Sequence, residues 1–580
     1  MKNKIKTGFL AMFICVLGGF MSCQDMLNIN SNSYLDTKDN NLNTPNDTLY
    51  SVVGILKQLQ KLSDRYVVVG ELRGDLMSIT ENSDMDLQDI ANFTATTDNP
   101  YVSTKEYYAV INNCNFYLQH VDTSVISGGK KVLKGEYAVV KAMRDWTYMQ
   151  LVLNYGKAVY FTEPILSIAD MNKDYPVLSP QQLIEKLLLD IPDFIDYTAY
   201  PTWGGSLFSF ISGPMLAGDM LLWMGAYTGN RSYYELAANI YYSYIINNNN
   251  CRGAGFYLNN YMNSDFDVLD NSSWSFFSSE DISMIPASMT SSETLDWPPI
   301  MILTYPELTG NAFEYKVKPS QAAIDLWNNE VYVYYNSSTK ELFYTKGDLR
   351  GNCTYSASSI QPCGSYYYAA EGDSLPTIAK YGYIVSNGSS YNSNFNPVIN
   401  LYRIGQLYLR YAEALNGLEK PSLAFAVLKY GLSGEVLRDS TKINQSEITP
   451  LPPYCDFTDP KFSVNGNQSQ TGIHSRGSGN PEQDTLYYSF RKETLQANSD
   501  YYGFPAALET LQDSIQFVDV MICKELGLET AFEGARFQDL MRLSIRRNDN
   551  GFLAKWVGRR NPALTATLMN QDKWYLPMPE

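Results

Sequence analysis

The chain carries only two histidines, His120 and His474, among its 580 residues, so imidazole chemistry has little to work with. They lie far apart, with no HExxH pairing for zinc, and a lone histidine on a helix usually serves structure. No GxSxG turn raises a serine nucleophile, and no GxxxxGK[ST] loop cradles phosphate. The segment "RGAGFYL" contains GxG but lacks the third glycine of a dinucleotide fingerprint. "DFDVLD" at 265–270 invites a calcium reading, yet an EF-hand needs Gly at its sixth position and Glu at its twelfth. Here those are Asp270 and Phe276. No cofactor is expected; calcium stays open but unsupported. Paired carboxylates are harder to set aside. A glycosidase needs only two at the right separation, and 61 acidic residues bring some together by chance. A surface hydrolase therefore remains a rival reading.

The other chemistry on offer is recognition. The chain has 45 Tyr and 8 Trp, side chains with a flat apolar face and a polar handle, suited to wet binding surfaces. Sugars pair with such faces, because one side of a pyranose ring is lined with C–H groups. A net charge of −17 opposes nucleic acid and anionic headgroups and suits neutral or cationic ligands. Of eight cysteines, Cys15 and Cys23 fall at the N-terminus. Cys353 and Cys363 stand ten apart in the Ser-rich "CTYSASSIQPC" and could close a local disulfide in an oxidising exterior. Cys114 and Cys523 lie in helical patterns and read as buried thiols. No paired CxxC pattern suggests zinc.

The N-terminus sets the address. Lys2, Lys4 and Lys6 precede the apolar run Gly8–Phe20, whose 13 residues suit a signal-peptide core and fall short of the ~20 a spanning helix needs. "FMSC" then places Cys23 where a lipoprotein signal is cut and the sulfur acylated, although Phe20 stands where Leu is usual. Residues 1–22 are thus expected to be a lipoprotein signal peptide, 23–43 a lipid-anchored tether, and 44–580 a single domain. No later stretch reaches ~18 uninterrupted apolar residues, so the membrane is reached through the lipid alone.

Helical spacing of apolar residues runs through Thr48–Leu62, with Asp47 as N-cap, and through Ser103–Val121 and Val132–Tyr155, joined by the turn "SGGKK". It recurs over Pro180–Asp190, entered through proline, and over Gly213–Thr228 and Tyr233–Ile246, an antiparallel pair. "SQAAIDLWNNE", Ile399–Leu415, Leu423–Tyr430, Leu508–Leu526 and Ala531–Arg546 complete the set. Trp146, Trp223 and Trp327 fall within helical patterns and read as core. Helix pairs with short connections predict a mainly α scaffold of degenerate tetratricopeptide-like pairs, with no clean 34-residue period. Long Tyr/Ser/Asn/Gly-rich stretches at 250–318, 331–398 and 440–505 are expected to carry small strands and binding loops.

Several segments in order then look familiar: "GELRGDL" (70–76), "YYAVINNCNFYL" (107–118), "KGEYAVVKAMRDWTYMQLVLNYGKAVYFTEP" (134–164), "VINLYRIGQLYLRYAEALN" (398–416), "ELGLETAFEGARFQDLMR" (525–542) and the closing "WYLPMPE". Behind a lipobox, this series resembles the SusD/RagB family of Bacteroidetes outer-membrane lipoproteins. The motifs read as frame: Arg410 and Glu413 one turn apart, Glu533 opening a helix, and Arg144, Glu413 and Glu533 as candidates for buried ion pairs.

The resemblance implies a surface-exposed glycan-binding lipoprotein of the outer membrane, a lid on a SusC-like TonB-dependent transporter, and not an enzyme. RagB-type members imply peptide uptake instead, which the acidic balance would suit. In the region where family members contact glycan, "TENSDMDLQDIANFTATTDNPY" supplies Asn82, Asp84, Asp98 and Tyr101. "LDWPPIMILTYPEL" supplies Trp297 and Tyr305 in a Pro-rigid loop, and "PTWGGSLF" supplies Trp203.

Overall fold

The computed structural model describes residues 42–196, 211–248, 251, 281–286, 299–304, 314–336, 338–353, 363–368, 375–386, 391–395, 398–463, 471–490 and 501–579. The expected signal peptide, Cys23 and most of the expected tether lie outside them. In chain order the principal helices are α1 (Pro45–Gln60), α2 (Ser63–Leu72), α3 (Met85–Asn92), α4 (Lys105–His120), α5 (Lys134–Tyr155), α6 (Pro180–Leu187), α7 (Gly213–Thr228), α8 (Arg231–Asn247), α9 (Pro299–Thr304), α10 (Gln321–Asn328), α11 (Ile404–Gly417), α12 (Pro421–Lys429), α13 (Leu511–Thr530), α14 (Arg536–Arg547) and α15 (Asn550–Gly558). α4 packs on α5, α7 on α8, α8 on α11, α11 on α12 and α13, and α13 on α14. The fold is mainly α, a frame of helix pairs carrying small β insertions. Among the described residues no helix is long and apolar enough to cross a membrane.

The α7–α8 pair shows how sequence makes these contacts. Pro214 enters α7, Gly229 leaves it at φ +66°, and Asn230 accepts the Ser232 amide to cap α8. Two residues suffice for the turn, so the helices run antiparallel. A Cβ on Gly218 would meet the Tyr241 ring at 2.3 Å, and one on Gly225 the Tyr234 ring at 2.6 Å. Glycines seven apart on one helix thus receive tyrosines seven apart on the next.

Among the described residues every sheet is a two-stranded antiparallel ladder. β1 (Met77–Ile79) pairs with β3 (Val317–Pro319), bringing Ile79 opposite Val317. β2 (Asp281–Pro286) pairs with β6 (Val398–Arg403). β4 (Val331–Asn336) and β5 (Glu341–Lys346) form a hairpin with Tyr334 opposite Phe343. The register of two short strands sets Cys353 opposite Cys363.

Four expectations need correction. Helix α11 begins at Ile404, because Val398–Arg403 pairs with β2 as a strand; β-branched residues in a two-sided apolar run satisfy either period until a partner strand decides. Thr510 and Asp513 form a capping box, so α13 starts at Leu511. Glu533 does not open a helix: Phe532 and Gly534 have positive φ and α14 begins at Arg536. α1 begins at Pro45, which places Asp47 inside its first turn rather than at the cap. The "SGGKK" turn forms as a small hairpin, with Gly128 and Gly129 both at positive φ, and Trp146, Trp223 and Trp327 are buried.

A buried seam of charge fastens the insertions to α13. Glu529 receives Arg350, Arg403 and Arg476, and Glu525 receives Arg350. His474 Nδ1 lies 2.5 Å from Glu525 Oε1, and Glu533 takes Arg403 and Lys380. The expected partners of Glu413 and Arg144 also exist: Glu413 binds Arg542 of α14 at 2.7 Å, and Arg144 binds Asp145 and Asp190. Cys114 and Cys523 are buried free thiols, and burial pushes the Cys523 thiol up to about 12.

Candidate functional site

The β1–β3 ladder places the 80–84 loop directly on the chain that returns from α9. Thr80 continues the ladder, its amide donating to Lys316 O at 3.0 Å. Its hydroxyl donates to Tyr315 O, and Ser83 Oγ donates to Lys316 O. Tyr315 holds φ +44° to make that turn. Asn82 sits at the tip, with its amide on Thr80 Oγ1 and its side chain donating to Glu314 O at 3.3 Å. Asp84 caps α3 by accepting the Leu87 amide at 3.0 Å, and its other oxygen meets Lys316 Nζ at 3.0 Å. Lys316 also reaches Glu314 at 2.5 Å. Burial pushes the Asp84 carboxyl up, but the Leu87 amide and Lys316 more than offset it, so its pKa lies below the ordinary value.

Tyr101 stands at the edge of this cluster, four residues before α4 begins at Lys105. Asn99 Oδ1 accepts its amide, and Arg65 donates to Pro100 O and Ser103 O around it. Arg65 is itself held by Glu106 at 3.1 Å. Burial raises the Tyr101 hydroxyl to about 12, with the charges of Asp84 and Asp64 adding to it. Asp64, in the first turn of α2, accepts the Ile300 amide of α9 at 3.1 Å. Burial raises its carboxyl to about 6, against a smaller lowering by that amide.

The structure therefore brings Asn82, Asp84 and Tyr101 together, and leaves Asp98 exposed in the turn just before Tyr101. Trp297 and Tyr305 lie outside the described residues. Their described flanks do not: α9 abuts Asp64, Glu314 and Lys316 bond back to Ile302 and Leu303, and Glu314 carries Asn82. Trp203 also lies outside; the first described residues after it include Ser212, whose amide donates to Ser283 Oγ of β2 at 2.8 Å. Sequence reading does not single out Lys316, Glu314, Asp64 or Arg65. Only Asp64 carries a local signal, an acid in the first turn of a helix.

Chemically the cluster offers hydrogen-bond donors and acceptors of both signs beside an aromatic ring. Among the described residues no group of three or more His, Cys, Asp or Glu could hold a metal ion.

No protein-family model matches the chain, and no curated protein matches it. Solved structures do. A SusD homolog from Bacteroides thetaiotaomicron aligns with TM-score 0.56 at 13% identity, covering 92% of this chain and 94% of that one. Another SusD homolog from the same organism gives TM-score 0.53 at 17% identity, covering 93% and 91%. NanU of B. fragilis gives TM-score 0.50 at 16% identity, covering 91% and 94%.

Proposed function

The chain has the SusD-like fold along nearly its whole length, and we propose that it is a surface glycan-binding lipoprotein of the SusD type. It captures oligosaccharides and delivers them to a SusC-like TonB-dependent outer-membrane transporter, held to the membrane by a lipid on Cys23. The observation that carries the reading is convergence. The loop bearing Asn82 and Asp84, with Tyr101 at its edge, is hydrogen-bonded to Glu314 and Lys316, and Asp64 beside it accepts the Ile300 amide of α9, the helix between Trp297 and Tyr305. Aromatic faces take the apolar side of the sugar, and Asn82, Asp84 and Asp98 hydrogen-bond its hydroxyls. Trp203 is a third aromatic face in this reading.

Each stacking contact contributes on the order of 1 kcal/mol, and each hydroxyl hydrogen bond about 0.5–1.5 kcal/mol because water competes. A few of each give a Kd of order micromolar to millimolar, weak enough for a capture protein to hand on its cargo. The test is to replace Trp297 and Trp203 by Ala and measure affinity for a panel of polysaccharides. A loss of about fivefold or more is expected for Trp297→Ala; retained affinity in both variants removes this site.

A peptide-capture protein of the same fold is the second reading, favoured by the carboxylates Asp64, Asp84 and Glu314 around the site and the net charge of −17. It predicts binding of basic peptides on an array and none of saccharides. Hydrolysis is not part of the proposal; release of product from a purified glycan would overturn that. The direct pairing of Cys353 with Cys363 across a ladder supports a local disulfide. Two further alkyl groups gained on the peptides carrying Cys353 and Cys363 after reduction are the expected result, and alkylation of both without reductant removes it.

A further inference from the structure

Far along the chain from the Asn82 loop, buried charge is used to hold an exposed ring in place. The turn 484–488 is built around the Asp484 carboxylate, which is 1% exposed and accepts the amides of Leu486, Tyr487 and Tyr488 at 2.6–3.1 Å. Lys429, also buried, donates to Asp484 O at 2.6 Å and Tyr488 O at 2.5 Å. Tyr488 roots the turn in the charged seam: its hydroxyl donates to Glu525 at 3.0 Å and its ring stacks on His474 at 3.6 Å. The same segment is strapped to the β4–β5 hairpin, where Asn480 N donates to Val333 O at 2.8 Å. A Cβ on Gly479 would sit 2.3 Å from that carbonyl.

This scaffold carries Leu486 and Tyr487 outward, 57% and 53% exposed. Tyr487 meets Tyr344 of β5, ring centroids 5.3 Å apart and planes at 58°. Exposed rings are ordinarily mobile; the turn that carries Tyr487 is fixed by buried hydrogen bonds to Asp484 and Lys429, and half-buried Tyr344 sits on a paired strand, which lowers the ordering cost of any contact they make. Two ring faces at that angle form a shallow notch for a flat, C–H-lined ligand. Charge selects among such ligands. Burial and then the Asp484 charge raise the Tyr344 hydroxyl, so the negative field of Asp484 reaches the notch. Lys346 lies two residues along the same hairpin face and counters it. The surroundings favour an electroneutral ligand over an anion or a strongly charged peptide.

We propose that Tyr344 and Tyr487 form a second carbohydrate contact, binding the pyranose face of neutral polysaccharide at a place distinct from the Asn82 loop. The proposal rests on the carbohydrate reading for its ligand class and assigns new residues to it. Native gels cast with starch, mixed-linkage β-glucan, galactomannan, xylan or polygalacturonate test it with the whole chain. Wild type, Tyr487→Ala, Tyr344→Ala, Tyr487→Phe and Trp297→Ala are run side by side. In a neutral polysaccharide that retards wild type, Tyr487→Ala and Tyr344→Ala are expected to weaken apparent affinity about fivefold. Tyr487→Phe keeps most of it, and the melting temperature of Tyr487→Ala is unchanged. Full retardation of both alanine variants, with loss in Trp297→Ala, overturns the second contact and leaves the carbohydrate reading intact. Retardation by polygalacturonate alone overturns the ligand class. Alanine variants that lose association with a membrane barrel but not polysaccharide retardation assign the notch to a protein partner and overturn it. No retardation of wild type by any polysaccharide overturns both readings.

Discussion

The seam around Glu529 and the loop around Asp84 are made of the same materials, carboxylates facing guanidinium or ammonium groups, and they do opposite work. In the seam, Arg350, Glu525 and Glu529 are wholly inaccessible to solvent, and each charge has two or more partners. In the loop, the side chains of Asp84 and Glu314 are 45% and 44% exposed, with Lys316 between them at 22%. Burying a charge is costly unless every lone pair and proton is answered, so the seam works as a fixed lock between α13 and the segments carrying Asp348–Arg350, Lys380, Arg403 and His474–Arg476. The loop charges keep an open side toward water, where a hydroxyl-bearing ligand can replace the water. Partner count and exposure, rather than residue type, separate frame from site.

The largest expected effect breaks the seam. Glu529→Gln removes the charge that answers Arg350, Arg403 and Arg476 while keeping side-chain volume. Arg350 keeps Asp348 and Glu525 and Arg403 keeps Glu533, but breaking buried ion pairs by removing one partner costs about 3–5 kcal/mol, read as a fall in the urea midpoint. Ligand affinity at permissive temperature is expected to be unchanged in the fraction that folds. A variant as stable as wild type would show that the seam is not a lock.

Acid sharpens the contrast, because Glu525 in the seam and Asp64 beside the loop titrate in opposite senses. Burial works against the charged form of Glu525, but His474 and Arg350 overcome it and hold the carboxyl down at about 2. Such a group stabilises the fold above its unfolded pKa, near 4.3, and that stability is lost as pH falls toward 2. Asp64 runs the other way: its carboxyl is raised to about 6 by burial. Its charged form therefore costs stability above pH 6, and the cost is relieved between about 6 and the unfolded value near 3.9. Asp64→Asn keeps an acceptor for the Ile300 amide and is expected to stabilise the protein by roughly 1–2 kcal/mol at pH 7.5. The gain should vanish at pH 4. Equal melting curves for variant and wild type at pH 7.5 would remove the burial argument for Asp64.

The contrast also explains what the sequence made legible. Helical periodicity located nearly every long helix, and the boundary errors fall where tertiary pairing decides: Val398–Arg403 becomes a strand only because Asp281–Pro286 lies beside it. Arg410 and Glu413 read as frame from their spacing and are frame, with Arg542 answering Glu413. The site was half legible. Asn82, Asp84 and Tyr101 come from one short stretch and stay together. Lys316 and Asp64 join them from 232 residues on and 20 back, through a three-residue ladder and one amide, and neither contact leaves a periodic trace. The Tyr344–Tyr487 notch was invisible for the same reason: alternation marks β5 as half-buried, but nothing in "DTLYYSF" tells which tyrosine the Asp484 turn faces outward.

The smallest effect on stability tests the loop most directly. Asn82 gives a single exposed bond, Nδ2 to Glu314 O at 3.3 Å, so Asn82→Ala is expected to change stability by no more than about 0.5 kcal/mol. Asp84→Ala removes a helix cap as well and should cost about 1 kcal/mol. If these residues face the ligand, affinity falls about threefold to tenfold in each variant, the equivalent of one hydrogen bond. That loss should be larger in Asn82→Ala than its stability change accounts for. Titration of both variants against the saccharide that wild type binds best separates the cases. Affinity that follows stability, lost in Asp84→Ala and kept in Asn82→Ala, would move the loop into the frame beside the seam.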